Sequence, residues 1–104
     1  MSGDLIALGP GKVDLLESID QEGSISQAAR QSHLSYRRAW DMVDTMNRCF
    51  KKPLVKSATG GKGGGGAELT LLGKKVIVIY REMEKKAGQA TQEEWNSLKK
   101  HLTR

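Results

Sequence analysis

The chain has 104 residues, of which 38% are hydrophobic and 28% are charged, and its formal net charge is +5. This length allows one ordinary domain with its own core, and no apolar run approaches the ~20 residues that a membrane-spanning helix needs. A single cysteine (Cys49) excludes an internal disulfide and two histidines are too few for a zinc site, so with no secretory signal we expect a cytoplasmic protein.

Two short helices are predicted first. The segment after Pro10 carries one apolar stripe at steps of three and four residues, which is typical of an amphipathic helix: Val13, Leu15, Leu16 and Ile19. Gly23 is suited to end that helix, because glycine adopts the left-handed backbone found at helix C-termini. Ser24, followed three residues later by Gln27, then gives the capping-box signature of a second helix lined with alanines.

A third helix is predicted from its N-cap, Ser35, to about Phe50. Its apolar residues form a stripe that would face the core: Ala39, Met42, Val43, Met46 and Phe50. His33 lies in the preceding turn, where a left-handed residue is often required, and Leu34 would fill the gap between the helices. A short helix, a tight turn and a second helix with a basic, aromatic first turn indicate a helix-turn-helix.

The segment "SATGGKGGGGAELT", residues 57 to 70, is rich in glycine, and several interpretations of it compete. A linker between domains would need more chain on either side, and a phosphate-binding loop would need Ser or Thr where Gly63 follows Lys62. An anion-binding nest of glycine amides is a weaker possibility. The flanking "LVKSA" and "AELTLL" alternate like paired strands, so we predict the wing of a winged helix over residues 54 to 71.

Residues 72 to 104 are predicted to be helical and to pair two chains. Their apolar residues recur like a coiled-coil seam: Leu72, Val76, Ile79, Met83 and Ala90. The run "VIVIY" could instead form a strand, although the flanking Lys and Glu residues continue the helical spacing. Gly88 could end or kink this helix, and Thr91 with Glu94 gives another capping box before a last helix. Residues 1 to 71 would then form the winged helix-turn-helix domain.

Positive charge is concentrated in mid-chain, where residues 30 to 62 hold eight basic residues against two acidic ones. Such a block attracts polyanions, although it can also be an ordinary solvated surface. The first turn of the second helix of a helix-turn-helix meets base edges, and here it supplies Tyr36, Arg37 and Arg38. Trp40 could either pack on DNA or belong to the core. No residues form a catalytic or metal-binding constellation, so we expect neither an enzyme nor a cofactor.

Two segments, "GSISQAARQSHLSYRRAWDMVDTMN" and "LVKSATGGKGGGGAELTLLGKKVI", resemble the N-terminal DNA-binding domain of the molybdate-responsive ModE transcription regulators. They resemble the LysR-type regulators more distantly. The resemblance covers roughly residues 10 to 90. It implies an α+β winged helix-turn-helix that binds double-stranded DNA as a homodimer, on palindromic operators of molybdate-uptake and molybdoenzyme genes. His33 is a departure, because the family often has glycine there.

The resemblance also implies which residues act. Those expected to face DNA lie on the second helix, the third helix and the wing: Ser24, Ser26, Gln27, Ser35, Tyr36, Arg37, Arg38, Trp40, Lys56, Thr59 and Lys62. Those expected to pair two chains lie on the C-terminal helix: Leu72, Val76, Ile79 and Met83. Full-length members bind molybdate through C-terminal domains that would begin where this chain ends, so we expect a stand-alone member or a fragment without a small-molecule ligand. The alternative is a winged-helix module that binds another protein and does not recognise DNA.

Overall fold

The computed structural model describes residues 8–59 and 66–103. These ranges contain five α-helices and one two-stranded antiparallel sheet, in this order: α1 (Pro10–Glu22), α2 (Ile25–Gln31), α3 (Tyr36–Cys49), β1 (Val55–Ala58), β2 (Gly66–Leu69), α4 (Leu71–Ala90) and α5 (Gln92–Lys99). The predicted α+β architecture is confirmed, and the segment "VIVIY" is helical within α4. In the described part of the chain, no helix combines the length and hydropathy that crossing a bilayer requires.

Two neighbouring residues turn the chain between α1 and α2. Gly23 has φ 74°, a left-handed backbone that glycine adopts without strain, and donates its N–H to the Ile19 carbonyl oxygen over 2.8 Å. The hydroxyl oxygen of Ser24 then accepts the Gln27 N–H at 2.9 Å. The predicted end of the first helix and the predicted serine cap of the second are therefore confirmed.

The turn between α2 and α3 also follows the prediction. His33 has φ 59°, which is the left-handed backbone expected there, and Leu34 packs partly buried against the core. The Ser35 hydroxyl oxygen accepts the Arg38 N–H at 3.1 Å and caps α3. This cap fixes the position at which the helix begins, and so the direction of its first turn.

One hydrophobic core joins every described element except α5. It takes residues from α1 to α3, from the two strands and the residue before β1, and from the start of α4: Leu15, Leu16, Ile19, Ala28, Ala29, Ala39, Val43, Met46, Leu54, Val55, Ala67, Leu69 and Val76. The alanines of α2 allow close approach of its neighbours. Each fully buried leucine or isoleucine contributes about 2 kcal/mol relative to exposure, so this core holds the helices and the wing together.

The wing is the antiparallel pair of β1 and β2, in which Val55 lies opposite Leu69. Both of these side chains are buried, whereas the next pair, Lys56 and Glu68, points to solvent with Nζ and Oε2 3.5 Å apart. This alternation is that of a strand pair with one face on the core. The tip of the wing, residues 60–65, lies outside the described residues.

Hydrogen bonds fix the start of α4 to the root of the wing. The Thr70 N–H is 2.9 Å from the Leu54 carbonyl oxygen, and the Thr70 hydroxyl donates to the Pro53 carbonyl oxygen at 2.8 Å. The same hydroxyl accepts the Gly73 N–H at 3.0 Å and caps the helix. Gly73 is buried so closely against Leu54 that a Cβ there would lie 3.1 Å from its carbonyl carbon and nearer still to its oxygen. Only glycine allows this approach.

An ion cluster ties α4 to α1 further along the helix. The Nη2 of Arg81 donates to Asp14 at 2.7 Å and to Glu17 at 2.6 Å, while its Nη1 donates to Glu84 at 2.9 Å. The hydrogen bond with Glu17, followed by those with Asp14 and Glu84, raises the pKa of Arg81 above its ordinary value. The guanidinium therefore stays charged at every pH at which the protein can fold.

The last two helices meet at Thr91, where the predicted capping box is absent. Its backbone, at φ −108° and ψ 12°, directs the hydroxyl back toward α4, where it donates to the Ala87 carbonyl oxygen at 2.9 Å. Thr91 therefore makes no side-chain cap on α5, and the pairing expected with Glu94 is wrong. Gly88 lies inside α4, which continues to Ala90, so this glycine does not end the helix.

Candidate nucleic-acid interface

The first turn of α3 presents three side chains to solvent. The cap at Ser35 starts the helix there, and the fully buried Ala39 fixes which side faces the core. Tyr36, Arg37 and Arg38 are consequently exposed. A phenol and two guanidinium groups on one exposed helical turn can donate hydrogen bonds to base edges and to phosphates.

The available positive charge lies at this end of α3. Arg37 Nε is 3.7 Å from Asp41 Oδ2, but both side chains are largely exposed and such a pair contributes little. Arg38 forms no ion pair with any described residue. At the other end, a hydrogen bond and the charge of Asp44 raise the pKa of Arg48, which that carboxylate neutralises.

Trp40 lies on the surface between α3 and the wing. Its side chain is 46% exposed, so it is not a core residue, and this decides between the two positions that the sequence left open. It lines a shallow cavity of about 170 Å³ together with Val43, Val55 and Lys56. Part of the indole therefore lies against the domain, and the rest is open to solvent.

Asn47 joins α3 to the wing, a role that was not predicted from the sequence. Its side-chain oxygen accepts the N–H groups of Leu54 at 2.8 Å and Val55 at 3.1 Å, and its amide donates to the Val55 carbonyl oxygen at 3.1 Å. Three hydrogen bonds from one side chain hold the first strand at a fixed position relative to the helix. A lone asparagine in the last turns of a helix gives no signal of this in the sequence.

One residue predicted to face DNA from α2 is buried, and that prediction is wrong. Ser24 is only 1% exposed, because its hydroxyl caps α2 while its backbone pairs with Gly66 at the edge of the wing. Ser26 is exposed and Gln27 is half-buried, so both remain accessible. Arg30 and Gln31, at the end of α2, are exposed as well.

The wing adds polar side chains beside α3. Lys56 and Thr59 are exposed, as predicted, and Lys56 pairs with Glu68 on the neighbouring strand. Both members of this pair are more than half exposed, so exchange of the carboxylate for a phosphate would cost little. Lys62, the charge expected at the tip, lies outside the described residues.

The predicted seam for pairing two chains lies on one side of α4 but is divided along its length, because its first half packs on the core and its second half is exposed. Val76 is 7% exposed and Leu72 packs against the core, because the hydrogen bonds at the wing root hold the first turns of α4 against the domain. These two residues are thus not free to contact a second chain. Ile79 and Met83 are 51% and 59% exposed. Further exposed apolar residues were not predicted for this surface: Leu71, Val78, Trp95, Leu98 and Leu102.

No metal centre can be assigned among the described residues. At positions 8–59 and 66–103, the His, Cys, Asp and Glu side chains form no group of three or more that could hold an ion. The cluster of Asp14, Glu17 and Glu84 is occupied by the guanidinium of Arg81.

Comparison with curated proteins identifies relatives, although no protein-family model matches the chain. It is 46% identical over 78 residues to the molybdenum transport protein ModE of Azotobacter vinelandii. It is 48% identical over 71 residues to the DNA-binding transcriptional dual regulator ModE of Escherichia coli K12, and 49% over 77 residues to the molybdenum-pterin-binding protein MopB of Rhodobacter capsulatus. These matches cover 75%, 68% and 74% of this chain but only 29%, 27% and 28% of the relatives.

Two solved structures share the fold. The full-length LysR-type regulator LysG from Corynebacterium glutamicum, with bound effector Arg, matches with a TM-score of 0.61 and 21% identity over 88% of this chain and 29% of its own. ArgP from Mycobacterium tuberculosis matches with a TM-score of 0.58 and 14% identity, over 82% of this chain and 30% of its own. At these identities the likeness establishes the fold alone. The chain therefore has the winged-helix fold and is similar in sequence to the N-terminal region of the ModE transcriptional regulators.

Proposed function

We propose that this chain is a sequence-specific DNA-binding transcription regulator that acts as a homodimer on genes related to molybdenum. The observation that carries the proposal is the exposed first turn of α3, where Arg37 and Arg38 keep positive charge that no strong ion pair with a described residue neutralises. The names of the relatives support it, because they describe a DNA-binding transcriptional regulator, a molybdenum transport protein and a molybdenum-pterin-binding protein.

Base recognition is assigned to the N-terminal half of α3. The major groove is about 12 Å wide and admits an α-helix, and an arginine can donate two hydrogen bonds to the O6 and N7 atoms of guanine. Arg37 and Arg38 would make this contact, while Tyr36 and Ser35 would hydrogen-bond to phosphates or bases. Ser26 and Gln27 of α2 would contact the sugar-phosphate backbone and position α3.

The wing would approach the DNA backbone while α3 occupies the groove. The hydrogen bonds of Asn47 fix β1 relative to α3, so the two elements can bind as one rigid surface. Lys56 and Thr59 supply groups that bind phosphate, and the ammonium group of Lys62 would add a positive charge. Trp40, between helix and wing, would pack on a sugar or a thymine methyl group.

Pairing of two chains is assigned to the exposed side of α4. Ile79 and Met83 lie one helical turn apart and leave a continuous apolar surface that water would contact in a monomer. Burying such side chains against a second copy contributes about 2 kcal/mol each. A symmetric dimer presents two copies of α3, which suits a palindromic site.

The test is fluorescence anisotropy with duplex DNA from upstream of the gene that encodes the chain. Replacing Arg37 or Arg38 with alanine should cost about 1 to 3 kcal/mol and change the base preference. Arg48→Ala removes the same charge from the other end of the same helix and leaves the Asp44 carboxylate unpaired, so this control should cost less and should weaken binding to specific and random duplex alike. Equal losses at Arg37 and Arg48, on specific and random duplex alike, would contradict base recognition by the first turn.

The salt dependence separates DNA binding from the alternative function. If each chain contacts several phosphates, log affinity should fall with log salt at about −0.9 per phosphate. A winged-helix module that binds only another protein would instead give no change in anisotropy at micromolar protein and moderate salt. For the glycine-rich segment, calorimetry with molybdate, tungstate and sulfate is expected to give no heat, and measurable heat would revive the anion-nest interpretation.

A further inference from the structure

A basic groove lies at the root of the wing, at the end opposite the tip. Its volume is about 730 Å³, and its lining includes Lys51, Lys52, Pro53, Leu71 and Lys75. Leu71 is 88% exposed, although the next turn of α4 packs on the core. The first two lysines and Lys75 form no ion pair with any described residue, so this groove is both apolar and positively charged.

The first turn of α5 carries the opposite charge, whereas Lys99 lies in its last turn. Glu93 and Glu94 occupy its first turn, and Trp95, Leu98 and the following Leu102 are each about half exposed. No residue of α5 is buried by its own chain. A helix of eight residues is not stable alone in water, because so few hydrogen bonds do not offset the cost of nucleation. This helix therefore requires a surface on which to pack.

The length of α4 brings these two surfaces together in an antiparallel dimer. A two-fold axis at residue 81 places Ile79 of each chain against Met83 of the other. Residues 71 and 91 are then each about 15 Å from the axis, at 1.5 Å per residue, and lie side by side. A crossing angle of about 20° adds only about 5 Å to their separation. The partner's α5 thus begins beside the groove.

From this match we propose that α5 of each chain packs into the groove at the wing root of its partner; the proposal rests on the homodimer proposed above. The partner's Trp95 covers Leu71, and the partner's Glu93 and Glu94 lie beside Lys51 and Lys52. DNA phosphates would satisfy the same lysines, but they would leave the leucine in water. A second copy offers both the carboxylates and the indole, so its α5 is the better complement.

Disulfide cross-linking tests the contact directly. In a Cys49→Ser background, Leu71→Cys combined with Trp95→Cys should give a covalent dimer on non-reducing gels under mild oxidation. The two cysteines cannot meet within one chain, because nearly the whole length of α4 separates them and a disulfide requires Cα atoms within about 7 Å. The matched control joins Leu71→Cys to Asn96→Cys, one residue away on a different side of α5, and should cross-link at least tenfold more slowly.

A second pair of cysteines separates failure of this proposal from failure of the homodimer. Ile79→Cys with Met83→Cys reports only the pairing of α4. If this pair gives covalent dimers and the cysteines at 71 and 95 give none, the chains form a homodimer through α4 but α5 does not pack in the partner's groove. Absence of both, together with a monomer in sedimentation, would remove the homodimer and with it this inference.

Charge exchange tests the electrostatic part. Glu93→Lys with Glu94→Lys should raise the dimer dissociation constant about tenfold or more, and adding Lys51→Glu with Lys52→Glu should restore it. The exchange is measured by sedimentation at low ionic strength, where surface charges are least screened. If Lys51→Glu with Lys52→Glu, made alone, weakens DNA binding but leaves the dimer dissociation constant unchanged, the groove contacts phosphate and the proposal is wrong.

Discussion

Replacing Gly73 with alanine should destabilise the protein, although alanine is the better helix former. Gly73 lies in the first turn of α4, where a methyl group would fall against the Leu54 backbone, 3.1 Å from the carbonyl carbon and closer to the oxygen. The obstacle is backbone, so no side-chain rotation can relieve it. The carbonyl would have to retreat by about 1 Å to reach ordinary contact distance.

The size of the effect follows from three contributions. Overpacking a rigid site costs about 1 to 3 kcal/mol. Moving the Leu54 carbonyl also weakens its hydrogen bond from the Thr70 N–H, now 2.9 Å, at a cost of about 1 kcal/mol. Higher helix propensity returns about 1 kcal/mol. The net loss is about 2 kcal/mol, which lowers the melting temperature of a domain of this size by roughly 10 °C.

Thermal unfolding by circular dichroism, at one fixed protein concentration, measures this loss. The matched control is Gly88→Ala, in the same helix, where nothing lies within 4 Å of the added Cβ. There only the propensity changes, so the control should be about 0.5 to 1 kcal/mol more stable than the unchanged protein. If Gly73→Ala gains stability as the control does, the close packing of α4 on the wing root is wrong.

The remaining predictions concern the hydrogen bonds and charges that hold the interface. Asn47→Ala should cost about 2 to 3 kcal/mol, because it leaves buried N–H groups without an acceptor. Asn47→Asp keeps the acceptor and should cost less. If the two variants unfold at the same urea concentration, the proposed link between helix and wing is wrong. Ser24→Ala should lower stability by about 1 kcal/mol yet leave the salt slope of DNA binding unchanged, since its hydroxyl is buried. Arg81→Gln should cost about 1 kcal/mol, a loss that shrinks at 1 M salt, while the exposed Lys86→Gln should change the melting temperature little at either salt concentration.

Local features of the chain were predictable because their causes are local. A glycine that ends a helix, or a serine that caps one, acts on atoms within four residues, and so Gly23 and Ser35 were identified from the sequence. The same holds for His33, whose left-handed backbone the short turn imposes. The order of helices and strands follows from such signals together with the hydrophobic periods.

Features that depend on distant segments were not predictable. Ser24 fits a capping box in the sequence, and nothing there shows that the wing returns to pair with it at Gly66 and bury it. Val76 fits a seam equally well, and only the attachment at Thr70 decides that the first turns of α4 pack against the domain. The sequence predicts that Thr91 caps α5, but its hydroxyl instead donates to the Ala87 carbonyl oxygen of the preceding helix. In each case one group had two possible partners, and tertiary packing made the choice.

The ion cluster of Arg81 has a consequence for the length of the DNA site. Because the cluster joins α4 to α1, the 20-residue helix, about 30 Å long, cannot swivel freely on its domain. In a homodimer paired through α4, the two copies of α3 would then be held at one separation. We expect such a dimer to bind only operators whose two half-sites are separated by this distance. An operator whose half-sites are moved apart by half a turn of the DNA helix should therefore bind poorly, even though every contacted base is kept.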